Sequence, residues 1–435
     1  MGSSVRIKEA VVVTPSEPTP NCVLPLSALD SQLFLRFTIE YLLVYKPGPG
    51  LDQAYISAHL KAALAKAMVH YYPFAGRVRP GSSGSGLEVV CKAQGAVFIE
   101  AFSDSYVVTD FEKASKTVTQ WRPLLSLHVQ DVLKGSPILV VQLTWLRDGG
   151  ATVGIGINHC ISDGVGSANF LIYFAELASG KSSNPKPKPV WDRHLLNPPL
   201  PQKIKSMNRN IPPEFNRVQD LCGFMNRVTN GLKPTSNVFN KRKLNELKRN
   251  ALHTCELNNA HFTAFEVLAS HVWRAWAISI GFPRNQVLKL LFSVNIRTRF
   301  KPGLAEGYYG NAFVLACGES NAGELVERGI GYGSGIVKRA KERVDSEHVR
   351  RVSELVSEWR ASPDSVGVLI LTQWSRLGLE KVELGMGMGK PVYVGPICCD
   401  RYCIFLPVKD QRDSVRVAVA LPAAAVDDYN RLINE

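Results

Sequence analysis

The stretch Asn158-His159-Cys160-Ile161-Ser162-Asp163-Gly164 decides how this chain is read, because it sets one histidine where a strand gives way to a turn. Residues 151–157, before it, interleave glycine with valine and isoleucine, the pattern of a buried strand. After it, Phe170-Leu171-Ile172-Tyr173-Phe174-Ala175-Glu176-Leu177 continues as an apolar helix. A histidine held between a strand and a helix has a fixed backbone, and its ring can face a cavity. With an ordinary pKa near ~6.5, imidazole accepts and returns a proton at neutral pH. Asp163, four residues on, either orders the turn or orients the ring as in a triad. A structural histidine closing a strand is the competing reading of the same residues.

At 435 residues the chain is too long for one ordinary core, so two domains are expected. Its 45% apolar and 20% charged content fits a globular protein. No apolar run approaches the ~20 residues of a membrane helix, and residues 137–143 read as a core strand. The first nine residues are followed by no apolar stretch, so no signal peptide is expected. Nine scattered cysteines, an odd number, suggest reduced thiols and a cytoplasmic setting. Cys398, Cys399 and Cys403 lack histidines at zinc-like spacing, so no metal site is expected there. The net charge of +13 admits an anionic partner. The basic residues are dispersed, however, and no recognition helix or aromatic RNA-binding signature occurs, which argues against nucleic acid.

Residues 182–213, rich in proline, lysine and asparagine, read as an irregular crossover between two regions of comparable size. The expected division is 1–181, linker 182–213, and 214–435. Ile56, Leu60, Leu64, Ala67 and Met68 recur at helical spacing within residues 52–72, and Pro73 ends that helix. Thr263 with Glu266 three residues later forms a capping box ahead of another apolar helix. Residues 287–292 form a strand that ends over 293–299. Strands and helices mix without strict alternation, so the class is α/β. Ser179-Gly180-Lys181-Ser182 resembles the end of a phosphate loop, but Ala175 occupies the position where that loop needs glycine. The glycine run 331–335 fails the nucleophile-elbow spacing and lies outside any clear strand–turn–helix context.

Together these segments resemble the plant BAHD acyl-CoA-dependent acyltransferases. His159-Cys160-Ile161-Ser162-Asp163-Gly164 matches the H-x-x-x-D-G signature. Tyr72-Pro73-Phe74-Ala75-Gly76-Arg77 is similar to Y-P-x-A-G-R, and Leu26-Ser27-Ala28-Leu29-Asp30 to L-S-x-L-D. Tyr309-Gly310-Asn311 and Thr372-Gln373-Trp374 follow in the family's order. The resemblance implies two similarly sized domains of the chloramphenicol-acetyltransferase type, each a mixed sheet with flanking helices. A channel between them would hold His159, reachable from both faces. It also implies a monomer with no permanently bound cofactor, acyl-CoA as co-substrate and a small alcohol as acceptor.

By the same resemblance His159 takes the acceptor's proton as its oxygen attacks the thioester, and later returns it to the CoA thiolate. Trp374 and Thr372 are candidates to donate to the oxyanion. Asp163 pairs with a basic residue and holds the loop. Thr263, at a helix N-terminus, is a candidate for CoA contact, although capping alone explains it equally well. The family's D-F-G-W-G segment is altered here to Glu383-Leu384-Gly385-Met386-Gly387-Met388-Gly389. Counting from Trp374 sets Glu383 in the place of the aspartate, with Gly385 and Gly387 as the motif glycines. In that register Glu383 is expected to pair with Arg297 or Arg299, with Met388-Gly389 as a bulge. The product is read as an ester, from an aromatic or short acyl group and a small specialised metabolite such as an alkaloid alcohol. The competing readings are an amine N-acyltransferase and a non-catalytic relative acting as a partner protein in lipid metabolism.

Overall fold

The structure is a computed structural model that describes residues 5–82, 86–181, 184–198, 211–224, 231–255, 261–301, 303–359, 362–363, 365–400 and 402–435. Two six-stranded mixed sheets organise it. The first runs β1 (Val5–Val13), β6 (Ala96–Ser103), β7 (Leu139–Trp145), β8 (Ala151–Asn158), β3 (Thr38–Tyr45), β13 (Tyr393–Pro396). The second runs β11 (Phe313–Asn321), β10 (Val287–Asn295), β12 (Val368–Gln373), β14 (Cys403–Pro407), β15 (Val415–Pro422), β9 (Leu232–Phe239). A small third sheet joins β2 (Cys22–Pro25), β5 (Leu87–Cys91) and β4 (Arg77–Pro80). β6 and β7 pair in parallel, as do β10 with β12 and β12 with β14, while the other pairs are antiparallel.

Helices α1 (Gln53–His70) and α2 (Gly164–Ala178) cover the first sheet. Asp52 caps α1 by accepting from the Tyr55 amide, and Pro73 sits in the 3₁₀ turn that follows. The helical period therefore delivers Ile56, Leu60, Leu64, Ala67 and Met68 to the core, all buried with Val141, Ile155 and Phe170. Fully burying such a side chain contributes about 1.5–3 kcal/mol. The second sheet carries α3 (Lys241–His253), α4 (Ala264–Ile280), α5 (Ala322–Glu327), α6 (Gly329–Glu342), α7 (Ser346–Trp359) and α8 (Val426–Leu432). Trp273, Trp276, Leu290, Phe292 and Phe405 centre its core.

Two expectations are corrected here. Residues 214–435 do not form one unit, because β13 completes the first sheet, pairing Tyr393 with Val44 and Pro396 with Tyr41. An unpaired edge of β3 would leave a row of amides and carbonyls open. Leu379, Val382, Leu384 and Met388 accordingly bury in the first core. The crossover is not uniformly irregular either: Arg193–Leu196 forms a 3₁₀ turn, and Val190 bridges to Tyr308. Residues 182–183 and 199–210 of that crossover lie outside the described residues. The glycine run 331–335, which fails the nucleophile-elbow spacing, lies in the interior of α6. A Cβ on Gly331 would stand 2.4 Å from the Ala251 carbonyl oxygen, so the glycine permits α6 to press against the end of α3. None of the nine cysteines is in a disulfide, and among the described residues no helix is long and apolar enough to cross a membrane.

Candidate functional site

β8 runs through the first sheet buried along its whole length and ends at Asn158, which delivers His159 to the turn before α2. The turn is fixed at nearly every residue. The His159 amide donates to the Phe37 carbonyl at 2.8 Å, and the Ile161 amide donates to the Asn158 carbonyl at 3.0 Å. The Cys160 amide donates to Asn158 Oδ1 at 3.1 Å, and Ser162 Oγ donates to the Tyr309 carbonyl at 2.9 Å. The imidazole is partly exposed, but its Nδ1 is buried and without a hydrogen bond. Phe37, just before β3, lies edge-on at 5.2 Å between ring centroids, and Phe313, opening β11, at 5.7 Å. The ring thus stands at the seam between the two sheets. Burial pushes its pKa below the ordinary 6.5, while its own carbonyl, the Asp163 charge and Asn311 pull the other way. A neutral imidazole at pH 7 is the form that accepts a proton.

Asp163 is the N-cap of α2, its Oδ1 accepting from the Gly166 amide at 2.9 Å. Arg297 grips both carboxylate oxygens at 2.9 Å, and the Ala312 amide donates at 3.1 Å. The Arg297 guanidinium also donates to the carbonyls of Tyr308 and Gly310. Burial pushes the Asp163 carboxyl up, but Arg297 and the two amides outweigh it and hold the group below the usual carboxylate range. None of the carboxylate's hydrogen bonds named here goes to the imidazole, so Asp163 ties the loop to the second sheet. Gly166 is obligatory at this junction, since a Cβ there would lie 2.1 Å from the Tyr309 carbonyl oxygen.

Glu383 is a correction. It pairs with Lys181 at 2.8 Å, the two side chains 37% and 55% exposed. Arg297 is taken by Asp163, and Arg299 donates to the carbonyls of Lys341 and Val344. A pair so open to water is worth about 0–1 kcal/mol. Gly385, Met386, Gly387 and Gly389 all adopt positive φ, and the loop closes through Met388 N to Gly385 O at 2.8 Å and Leu384 N to Gly389 O at 3.2 Å. Only Met386 of these bears a side chain in the left-handed region, a conformation usually left to glycine.

The other candidates are distributed around the seam. Thr372 is in β12, partly buried, and Trp374 follows that strand, buried with its ring 4.9 Å from Tyr41 of β3. Thr263 caps α4 in the expected capping box: its amide donates to the Glu266 carboxylate at 2.8 Å, and its hydroxyl accepts from the Glu266 amide at 3.3 Å. A separate cavity of ≈ 300 Å³, lined among others by Lys46, Phe111, Glu380, Tyr393 and Arg416, does not include His159. Among the described residues no group of three histidine, cysteine or carboxylate ligands is placed to hold a metal.

Sequence reasoning missed a buried cluster beneath the turn. Asp30, 0% exposed at its side chain, pairs with Arg193, 1% exposed, at 2.7 Å. Arg193 also donates to the Ile161 carbonyl at 2.7 Å and packs its guanidinium 4.2 Å from the Trp191 ring. Asn311 donates from its amide and side chain to the same Asp30 oxygen, and from its side chain to the His159 carbonyl. Asp30 and Asn311 lay in matched motifs, but nothing local marked Arg193, which sits in the proline-rich crossover.

A family model for the Transferase family matches residues 3–431. The chain is 32% identical over 439 residues to the omega-hydroxypalmitate O-feruloyl transferase of Arabidopsis thaliana, covering 98% of this chain and 92% of that one. It is 30% identical over 437 residues to the taxadien-5-alpha-ol O-acetyltransferase of Taxus chinensis, with 98% and 95% covered. Vinorine synthase has the same fold, with a TM-score of 0.74 at 20% identity and coverage of 98% and 96%. So does TRI101 of F. sporotrichioides, solved with coenzyme A and T-2, with a TM-score of 0.72 at 16% identity and coverage of 93% and 96%.

Proposed function

The chain belongs to the BAHD acyl-CoA-dependent acyltransferases within the Transferase family and is an O-acyltransferase, and on that premise we propose how its own residues carry the reaction. The acyl donor is an acyl-CoA and the acceptor is the hydroxyl of a small specialised metabolite. Neutral His159 takes the hydroxyl proton through Nε2, as the oxygen forms its bond to the thioester carbonyl. The tetrahedral intermediate carries its charge on the former carbonyl oxygen, where a donor must stand. Trp374, through its indole N–H, and Thr372, through its hydroxyl, are the proposed donors. Collapse breaks the carbon–sulfur bond, and the imidazolium returns its proton to the CoA thiolate. Ester and CoA leave, and no proton or electron remains unaccounted for.

The observation that carries this reading is the His159 ring itself: partly exposed at the seam of two sheets, with a lowered pKa and a backbone hydrogen-bonded at both its amide and its carbonyl. A channel along that seam would bring CoA from one side and acceptor from the other. Thr263, exposed at the start of α4, is proposed on the CoA side: its hydroxyl oxygen is occupied by the cap, which leaves its hydrogen to donate. The protein is proposed to act as a cytoplasmic monomer. A panel of acetyl-, benzoyl- and hydroxycinnamoyl-CoA against aliphatic, benzylic and polycyclic alcohols and amines, read by product mass, tests the reading. Ester formation with at least one pair is expected. Amides alone would move the assignment to nitrogen, and no CoA release with any pair would favour the non-catalytic reading.

A further inference from the structure

We propose that Asn311 is a positioning residue for the transfer: its carboxamide oxygen accepts from the His159 Nδ1–H and fixes the tautomer whose Nε2 lone pair faces the acceptor. This rests on His159 being the general base. Asn311 Nδ2 lies 2.8 Å from Asp30 Oδ1 and 2.7 Å from the His159 carbonyl oxygen. Asp30 Oδ1 is the partner of Arg193 as well, and a carboxylate and a carbonyl can only accept. The amide nitrogen must therefore face both, which fixes the orientation of the carboxamide. The Asn311 backbone amide donates to the same carboxylate oxygen at 2.9 Å, so the residue is held at main chain and side chain together.

Two buried atoms then remain without a hydrogen bond on neighbouring residues: Asn311 Oδ1, which can only accept, and His159 Nδ1, which can donate. A buried polar atom left unpaired is costly, and pairing these two removes both penalties. Hydrogen bonds of this kind are often loose before substrate binds and tighten in the complex. Contact with Asn311 also raises the ring's proton affinity, as an acceptor beside Nδ1 would. The second acceptor facing the ring is the histidine's own carbonyl, and Asn311 Nδ2 holds that carbonyl in place. The histidine's own carbonyl, the larger of these two influences on the ring, is thus also held by a side chain from the second half of the chain. The aspartate of a serine-protease triad fixes its histidine in the same sense, and the wrong tautomer there costs ~10⁴-fold in kcat.

The test has two arms. In the wild-type protein, long-range ¹H–¹⁵N correlation on ¹⁵N-histidine at pH 8 is expected to show His159 protonated at Nδ1, and a proton on Nε2 would overturn the proposal without any variant. Asn311→Ala, assayed with the donor and alcohol that turn over fastest in the panel, is expected to lose ~10²-fold or more in kcat. KM for both substrates should stay within about three-fold, and the acid limb of kcat/KM should move to lower pH, because losing an acceptor at Nδ1 disfavours imidazolium. Unchanged kcat would overturn the proposal, as would a loss of kcat with the limb and the tautomer unmoved. If Asn311→Ala does not fold, the wild-type tautomer decides alone. An active Asn311→Ala beside an inactive His159→Ala rejects this inference and keeps the general base, whereas an active His159→Ala rejects both.

Discussion

At the scale of single residues, His159 and Asp163 have separate tasks although four positions apart in one motif. The His159 pKa is lowered by burial. The acid limb of kcat/KM should therefore have its midpoint below the ordinary histidine value of 6.5; a midpoint above 6.5 would contradict the burial of the ring. In stability the sign is the same: the unfolded chain takes up this proton first, so acid below 6.5 favours unfolding through this group. Asp163 is bound by Arg297 on both oxygens and caps α2. Asp163→Asn leaves Arg297 without its counter-charge, and breaking such a pair costs ~3–5 kcal/mol. We expect a lowered melting temperature and a displaced His159 turn. Loss of activity with unchanged melting would instead point to a triad-like role. The Asp163 contribution is complete above its unfolded pKa of 3.8 and is lost as pH falls through the lower folded value.

Among elements, helix ends and strand bodies follow local rules, and for that reason α1, α2, β8 and the capping box of α4 were readable from spacing and capping residues alone. α6 was not. Gly329, Gly331, Gly333 and Gly335 each lack the propensity of an ordinary helix residue, by about 1 kcal/mol against alanine; close approach to the end of α3 explains Gly331, and to Ser270 of α4 explains Gly333. Gly331→Ala would gain in propensity yet drive its methyl into the Ala251 carbonyl and the Cys255 amide. We predict a net destabilisation of about 1–3 kcal/mol, as for overpacking elsewhere, measured by denaturant unfolding; a stabilised variant would show that the two helices separate freely. The Glu383 pairing failed as an expectation for a related reason. Sequence distance from Trp374 set a register for Glu383, but the positive-φ turn at 385–389 decides where the side chain goes, and it goes to Lys181.

Across the whole molecule, the sheets are laced together by segments that leave their own half of the sequence. β13 returns to the first sheet, Arg193 enters from the crossover, and Asn311 reaches the His159 turn from the second half. None of these long-range exchanges has a local signature, so the sequence showed two domains of similar size without showing that they share strands and buried charges. Arg193→Met should strand Asp30 at zero side-chain exposure, with a cost of ~3–5 kcal/mol for an unpaired buried charge, read as a shift in the unfolding midpoint; a cost under about 1 kcal/mol would mean that the pair is dispensable to the seam. The central claim is that this seam works as an acyl transfer site with His159 as its base. The most direct measurement is single-turnover transfer from an acyl-CoA that the wild type accepts, followed by product mass, in wild type and in folded His159→Ala. Transfer is expected to fall ~10²–10⁴-fold in the variant with CoA still bound; transfer within about two-fold of wild type would rule His159 out as the base.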